Sequence, residues 1–187
     1  MTVAAPAPLT ARRSRRWLAA PIFAFALFAL TAGILAKEAG GPRGSYFDLV
    51  FSDTIHMKVW LATAALACGV LQLFTAAWIF RKLPWPKPAW VNPLHRWTGR
   101  FAFVLALLVS YHCIFQLGFQ TGTTRSYAHS LAGSAFFGAF AAKVTIVRLK
   151  RFPVPVLPIA GGLLFTVLLV VWWTSSLWFL RTIDTGF

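Results

Sequence analysis

His95-Arg-Trp-Thr-Gly-Arg-Phe-Ala-Phe-Val-Leu-Ala-Leu-Leu-Val-Ser-Tyr-His-Cys-Ile-Phe-Gln-Leu117 sets the fold of this chain. Its 23 residues exceed the roughly 20 that an α-helix needs to cross a bilayer. Beyond Arg100 it carries no Asp, Glu, Lys or Arg, as lipid demands of a spanning segment. Four other apolar runs of comparable length flank it: Trp17–Ala36, Thr54–Phe80, Tyr127–Leu149 and Val156–Leu180. Over the 187 residues 58% are hydrophobic and 12% charged, against roughly 25% charged in soluble domains. The expectation is an all-α integral membrane bundle of five transmembrane helices over residues 17–187. Residues 1–16, rich in Ala, Pro and Arg, are expected to form a disordered basic cytoplasmic tail.

A net charge of +14 suggests nucleic acid in a soluble chain, but its distribution here argues for lipid. Successive spans alternate direction. They place Arg12, Arg13, Arg15, Arg16, Arg81, Lys82, Lys87, Arg96, Arg100, Lys143, Arg148, Lys150 and Arg151 on one side. Lys37, Arg43, Lys58, Arg125 and Arg181 fall on the other, together with all four acids, Glu38, Asp48, Asp53 and Asp184. The positive-inside rule then predicts a cytoplasmic N-terminus and an outer C-terminus in a multi-pass membrane protein. Ser14-Arg15-Arg16-Trp17-Leu18 faintly resembles a twin-arginine export signal. The apolar run that follows is longer than a signal core, so a retained anchor is expected.

The connections are short. Residues 81–94, rich in Pro and Trp, make a cytoplasmic turn that cannot be helical throughout. Gly118 to Ser126 is a brief outer turn, which predicts that the third and fourth helices are adjacent and antiparallel. No extramembrane segment has room for a soluble catalytic domain, so any chemistry belongs inside the bundle or to a partner. Ser130, Ser134, Gly138 and Ala142 recur every four residues in the fourth span, a small-residue stripe that permits close helix approach. Trp172, Trp173 and Trp178 read as an interfacial belt. Cys68 and Cys113 differ in depth by several turns and are expected to be packed thiols.

The four histidines split three to one. His56, His112 and His129 lie near the outer ends of three spans, and His95 lies at the cytoplasmic end. An ionisable ring in a bilayer is costly and is usually paired, liganded or functional. Haem iron takes axial imidazoles from two helices with the porphyrin between them. His112 and His129 are equidistant in sequence from the centre of the outer turn, so in a symmetric hairpin they are level. His56 is at a similar or slightly shallower depth. His95 precedes His112 by 17 residues, roughly 25 Å of helix, and cannot share its haem. These residues point to one bis-histidine haem b, with His129 in either pair and His56 or His112 opposite it. Gly133, four residues after His129, removes a side chain where a porphyrin edge would pack. Arg125, Lys37, Lys58 and Arg43 are candidate partners for the propionates, with Arg125 nearest to His129 in sequence.

His95-Arg-Trp-Thr-Gly99, a long apolar helix and then His129-Ser-Leu-Ala-Gly133 resemble the cytochrome b561 and ferric-reductase-like membrane cytochromes over roughly residues 54–150. A nearer likeness is to an uncharacterised bacterial membrane family over residues 57–180. It rests on Lys58-Val-Trp-Leu-Ala-Thr63, His95-Arg-Trp-Thr-Gly-Arg100, Tyr111-His-Cys113, His129-Ser130 and Phe137-Gly-Ala-Phe-Ala-Ala-Lys143. That likeness covers His112 and His129 but not His56, which implies His112 with His129 as the ligand pair. It also implies a redox partner on the outer face, of the Rieske iron–sulfur type, or a larger respiratory assembly. The b561 proteins use two bis-histidine haems, and this chain lacks ligands for a second. The expected function is therefore an electron-transfer subunit rather than a stand-alone enzyme. The competing expectations are a non-haem scaffold subunit of a membrane complex, or a quinone-binding or metal-handling protein using the same histidines.

Overall fold

In the structure, a computed structural model, residues 10–39 and 47–183 are described. Five helical rods run through it: α1 (Thr10–Ala39), α2 (Thr54–Ile79), α3 (Val91–Tyr111), α4 (Thr124–Leu149) and α5 (Val156–Trp172). Two of them change pitch at one end. α3 continues as a π-helical turn, His112–Leu117, and α5 as a π-helical turn, Trp173–Leu177, followed by a short α6 (Trp178–Ile183). Each rod is long and apolar enough to span a membrane. Ile22, Phe23, Leu30, Leu163 and many other large apolar side chains are exposed around the bundle, the surface a helix presents to lipid rather than to water. α1 begins at Thr10, inside the basic segment read as a tail, and residues 1–9 lie outside the described ones.

Local chemistry fixes the helix ends. Asp53, extended at φ −161°, caps α2 by accepting the His56 amide at 2.8 Å. Thr123 and Ser126 make a reciprocal capping box that starts α4, each side chain accepting the other's amide. Gly118 terminates the π-turn after α3 at φ 71°, a conformation that strongly favours glycine. The next amide, Phe119, donates to the Ala36 carbonyl and ties this turn to the end of α1.

The helices form a ring in the order α1, α4, α5, α2, α3, closed by the π-turn of α3 against α1. This corrects the expectation that α3 and α4 are packed neighbours: they share a short turn but do not lie together along their lengths. The cause is where the small residues sit. At Gly138 of α4 an added Cβ would stand 2.6 Å from the Phe25 carbonyl oxygen and 2.9 Å from the Ala29 Cβ, so α4 is committed to α1. At Gly99 of α3 it would stand 3.0 Å from Gln72 of α2, so α3 is committed to α2. What joins α3 to α4 mid-bundle is a face-to-face stack of Phe103 on Phe140, with centroids 3.9 Å apart and planes 8° apart. Trp172 donates to the Thr63 hydroxyl at 2.9 Å and fastens α5 to α2.

Candidate functional site

The splay between α3 and α4 opens a cavity of about 730 Å³ at the end of the bundle where both π-turns lie. That size falls within the roughly 300–1,000 Å³ usual for small-molecule and cofactor sites. Its walls are mostly apolar, from Ala62, Ala65, Ala106, Phe136 and Leu168 among others, and the Phe103–Phe140 stack lies one turn beyond them. Polar residues interrupt these walls. His112, His129, Lys58, Arg125 and Asp53 line the cavity, as do the hydroxyls of Ser130, Ser134, Ser175 and Ser176. Gly133 also lines it, and an added Cβ there would meet nothing within 4 Å.

The hydrogen bonds assign a tautomer to each histidine of the cavity. Thr174 sits in the π-turn after α5, and its hydroxyl donates to the Val170 carbonyl at 2.7 Å. A hydroxyl has one proton, so the 3.1 Å bond between Thr174 Oγ1 and His129 Nδ1 is donated by the histidine. The proton is therefore on Nδ1, and Nε2 of His129 carries the lone pair. His112 is fully buried at the start of the other π-turn. Its Nδ1 stands 3.3 Å from the Leu108 carbonyl, which only accepts, and its Nε2 receives the Phe47 amide at 3.4 Å. Again Nδ1 holds the proton. The Phe47 ring packs against the imidazole with centroids 4.3 Å apart. His129 is held as metal-ligating histidines usually are, with one ring N–H bonded to a hydroxyl and the opposite nitrogen carrying its lone pair, whereas in His112 that opposite nitrogen accepts the Phe47 amide.

Arg125 lies one turn before His129 on α4 and grips the same residue. Its Nη1 donates to the Thr174 carbonyl at 2.7 Å, and its guanidinium covers the Trp178 ring at 3.8 Å. Its other N–H groups have no acceptor among the described residues. Lys58 and Arg125 are both within electrostatic range of His129, so an anionic substituent is favoured beside it.

The remaining candidates are placed elsewhere. His56 is absent from the cavity lining: its Nδ1 pairs with Asp53 Oδ2 at 2.6 Å and its ring stands edge-on to Phe179, at the rim. The His56 amide and ring, both bonded to the Asp53 carboxylate, hold that acid below its ordinary pKa. Lys37 is exposed at the end of α1, and Arg43 lies outside the described residues. His95 is at the opposite end of the bundle, as its position in sequence requires. Among the described residues no cluster of three His, Cys, Asp or Glu is arranged to hold a bare metal ion. Cys68 and Cys113 are free thiols, the second of them on the cavity wall.

Sequence reasoning missed Thr174 and the Phe47 amide. Trp173-Thr-Ser-Ser-Leu177 carries three consecutive hydroxyls inside an apolar span, a signal that was available, whereas a backbone donor leaves no trace in composition. It also missed Gln116, one turn past His112, whose buried amide has no hydrogen-bond partner on either atom among the described residues. None of the curated proteins and none of the solved structures matches the chain. Residues 17–187, the five-helix unit with both cavity histidines, match a family of unknown function (DUF6529), and the chain belongs to that family.

Proposed function

We propose that this protein is a membrane b-type cytochrome subunit that carries electrons through a single bis-histidine haem b near the outer face of the membrane. The observation that carries the reading is that two histidines from different helices line one apolar cavity, each held as the Nδ1–H tautomer. The residues present suit a haem in kind: imidazoles from two helices, a largely apolar wall, the open space over Gly133 and the cations Lys58 and Arg125 in the lining. His129 presents its lone pair through Thr174. His112 presents its own once the long Phe47 amide bond gives way, and His56 is the alternative. Arg125 and Lys58 hold the propionates by charge and hydrogen bonding. A haem so held supplies reversible one-electron chemistry at iron. The basic asymmetry supports an outer location for this end, in a bacterial plasma membrane, with an iron–sulfur or other redox protein as partner.

A quinone-binding role is the second reading. It is favoured by the Phe47 amide on His112, which leaves one cavity histidine rather than two as an acceptor. One experiment separates the two readings: a dithionite-reduced minus oxidised spectrum of the purified chain, with a pyridine haemochrome assay and lipid extraction. One b-type haem per chain, lost in His129→Ala and His112→Ala, is the expected result. Colourless protein from haem-sufficient cells overturns the cytochrome, and co-extracted quinone then selects the second reading.

A further inference from the structure

The π-turn that follows α5 carries three successive hydroxyls, and they are not equivalent. Thr174 donates to the Val170 carbonyl and Ser175 to the Val171 carbonyl, each at 2.7 Å. That is the usual outcome for serine and threonine in a helix, where a carbonyl one turn back takes the proton. Ser176 breaks the pattern. It is 1% exposed, and its hydroxyl makes no hydrogen bond among the described residues. A buried donor left unpaired is destabilising, so the fold keeps this hydroxyl at a cost. Gln116 is unpaired as well, but it does not line the cavity, and Ser176 does.

The π-turn that holds Ser176 lies against both α2 and α4. From α4, Arg125 touches the chain on either side of Ser176, through the Thr174 carbonyl and the Trp178 ring. From α2, Lys58 lines the same cavity. Asp53, the acid in the lining, is already bonded to His56. The cavity therefore offers an unspent neutral donor and two cations, and its surplus is of hydrogen-bond donors. A ligand that fills it has to bring oxygen acceptors.

We infer that Ser176 is a ligand-binding residue of the cavity, its hydroxyl donating to an oxygen acceptor of the molecule that fills it. The assignment deepens the reading of this cavity as a cofactor site and rests on it. With Lys58 and Arg125 in the lining, a carboxylate is the acceptor that answers charge and hydrogen bonding together, and a haem carries carboxylates as its propionates. The carbonyl of a quinone is the other source of the same acceptor chemistry. In either case Ser176 gives up stability in the empty protein and returns it on binding, because only then does its proton find an acceptor.

That opposition is the test. Thermal unfolding of the ligand-free full chain in detergent is compared for wild type, Ser176→Ala and Ser175→Ala. The two variants change helix propensity alike, but Ser175→Ala removes a hydroxyl that is already bonded. Ser176→Ala is expected to unfold at a higher temperature than either of the others. The same variant, titrated with haem b, is expected to bind about 10–100-fold more weakly than wild type, the worth of a hydrogen bond to a charged acceptor. Thr166→Ala removes an exposed hydroxyl of α5 that lies outside the cavity, and it is expected to leave the affinity unchanged. A short-chain quinone is titrated in parallel. Loss of quinone affinity in Ser176→Ala, with no haem bound by wild type, keeps Ser176 in the site and discards the cytochrome. A Ser176→Ala midpoint no higher than that of Ser175→Ala, a variant that does not fold, an unchanged affinity, or a wild-type chain that binds neither probe overturns the assignment.

Discussion

A hydroxyl carries one proton, and at Thr174 the Val170 carbonyl takes it. That single constraint sets the protonation of His129, since the Thr174 oxygen is left only its lone pairs to offer. Thr174→Val keeps the shape of the side chain and removes the acceptor. His129 then loses the bond that orients its ring and holds the proton on Nδ1. Removing such a supporting partner typically costs about 10–100-fold in affinity at a metal site. On the cytochrome reading, Thr174→Val therefore binds haem that much more weakly, with a shifted reduction potential, while Thr174→Ser restores both. Haem titration of the apo-protein with parallel redox titration is the measurement. Unchanged binding and potential in the valine variant would show that the tautomer argument does not govern the site.

Helices in lipid gain little from hiding apolar surface from one another, so close backbone approach decides which pairs pack. Gly138 is where α1 and α4 come nearest, and the Phe25 carbonyl leaves no room for a methyl group. Gly138→Ala is expected to lose about 1–3 kcal/mol of stability by overpacking. Gly161, in α5 with nothing near its missing Cβ, is the control: its alanine variant is neutral or gains roughly 0.5–1 kcal/mol from helix propensity. Unfolding of both variants in mixed detergent checks the contrast. The same element shows how far the sequence can be read. The stripe from Ser130 to Ala142 announced a close approach, because the absence of side chains is visible in the letters. It did not name α1 as the partner, because a smooth face says how near a neighbour comes and not which one. Connectivity suggested α3, and connectivity was outweighed by Gly99 holding α3 on α2. The spans themselves were legible from apolar length, which the bilayer fixes directly. Both π-turns were invisible, since an extra residue in a turn leaves composition and approximate periodicity unchanged. His112 and His129 were singled out by counting depth along two spans, Arg125 and Gly133 by their spacing from His129, and all four line the cavity. Counting gives level but not rotation about the helix axis, and it is rotation that brings Thr174 beneath His129 and turns His56 away to Asp53.

At the scale of the whole molecule the two ends of the bundle differ in sign, and that difference makes orientation a physical question. One end holds 13 of the 18 Lys and Arg residues, and the other holds the cavity, the π-turns and every acid among the described residues. Carrying so many cations across an energised membrane is opposed by the potential, at about 2.3 kcal/mol per charge for each 100 mV. The basic end is therefore expected to stay in the cytoplasm, with the cavity opening outward. Two positions report this directly. Lys87 is exposed in the turn between α2 and α3, and Gly122 is exposed in the turn between α3 and α4 with nothing near its missing Cβ. In a chain with Cys68 and Cys113 replaced by alanine, Gly122→Cys is expected to react with a membrane-impermeant maleimide in cells whose inner membrane is intact. Lys87→Cys is expected to react only after lysis. The reverse pattern would turn the cavity toward the cytoplasm and exclude an outer redox partner for it. Orientation therefore decides which side could supply a redox partner, although the cavity's internal geometry does not depend on it.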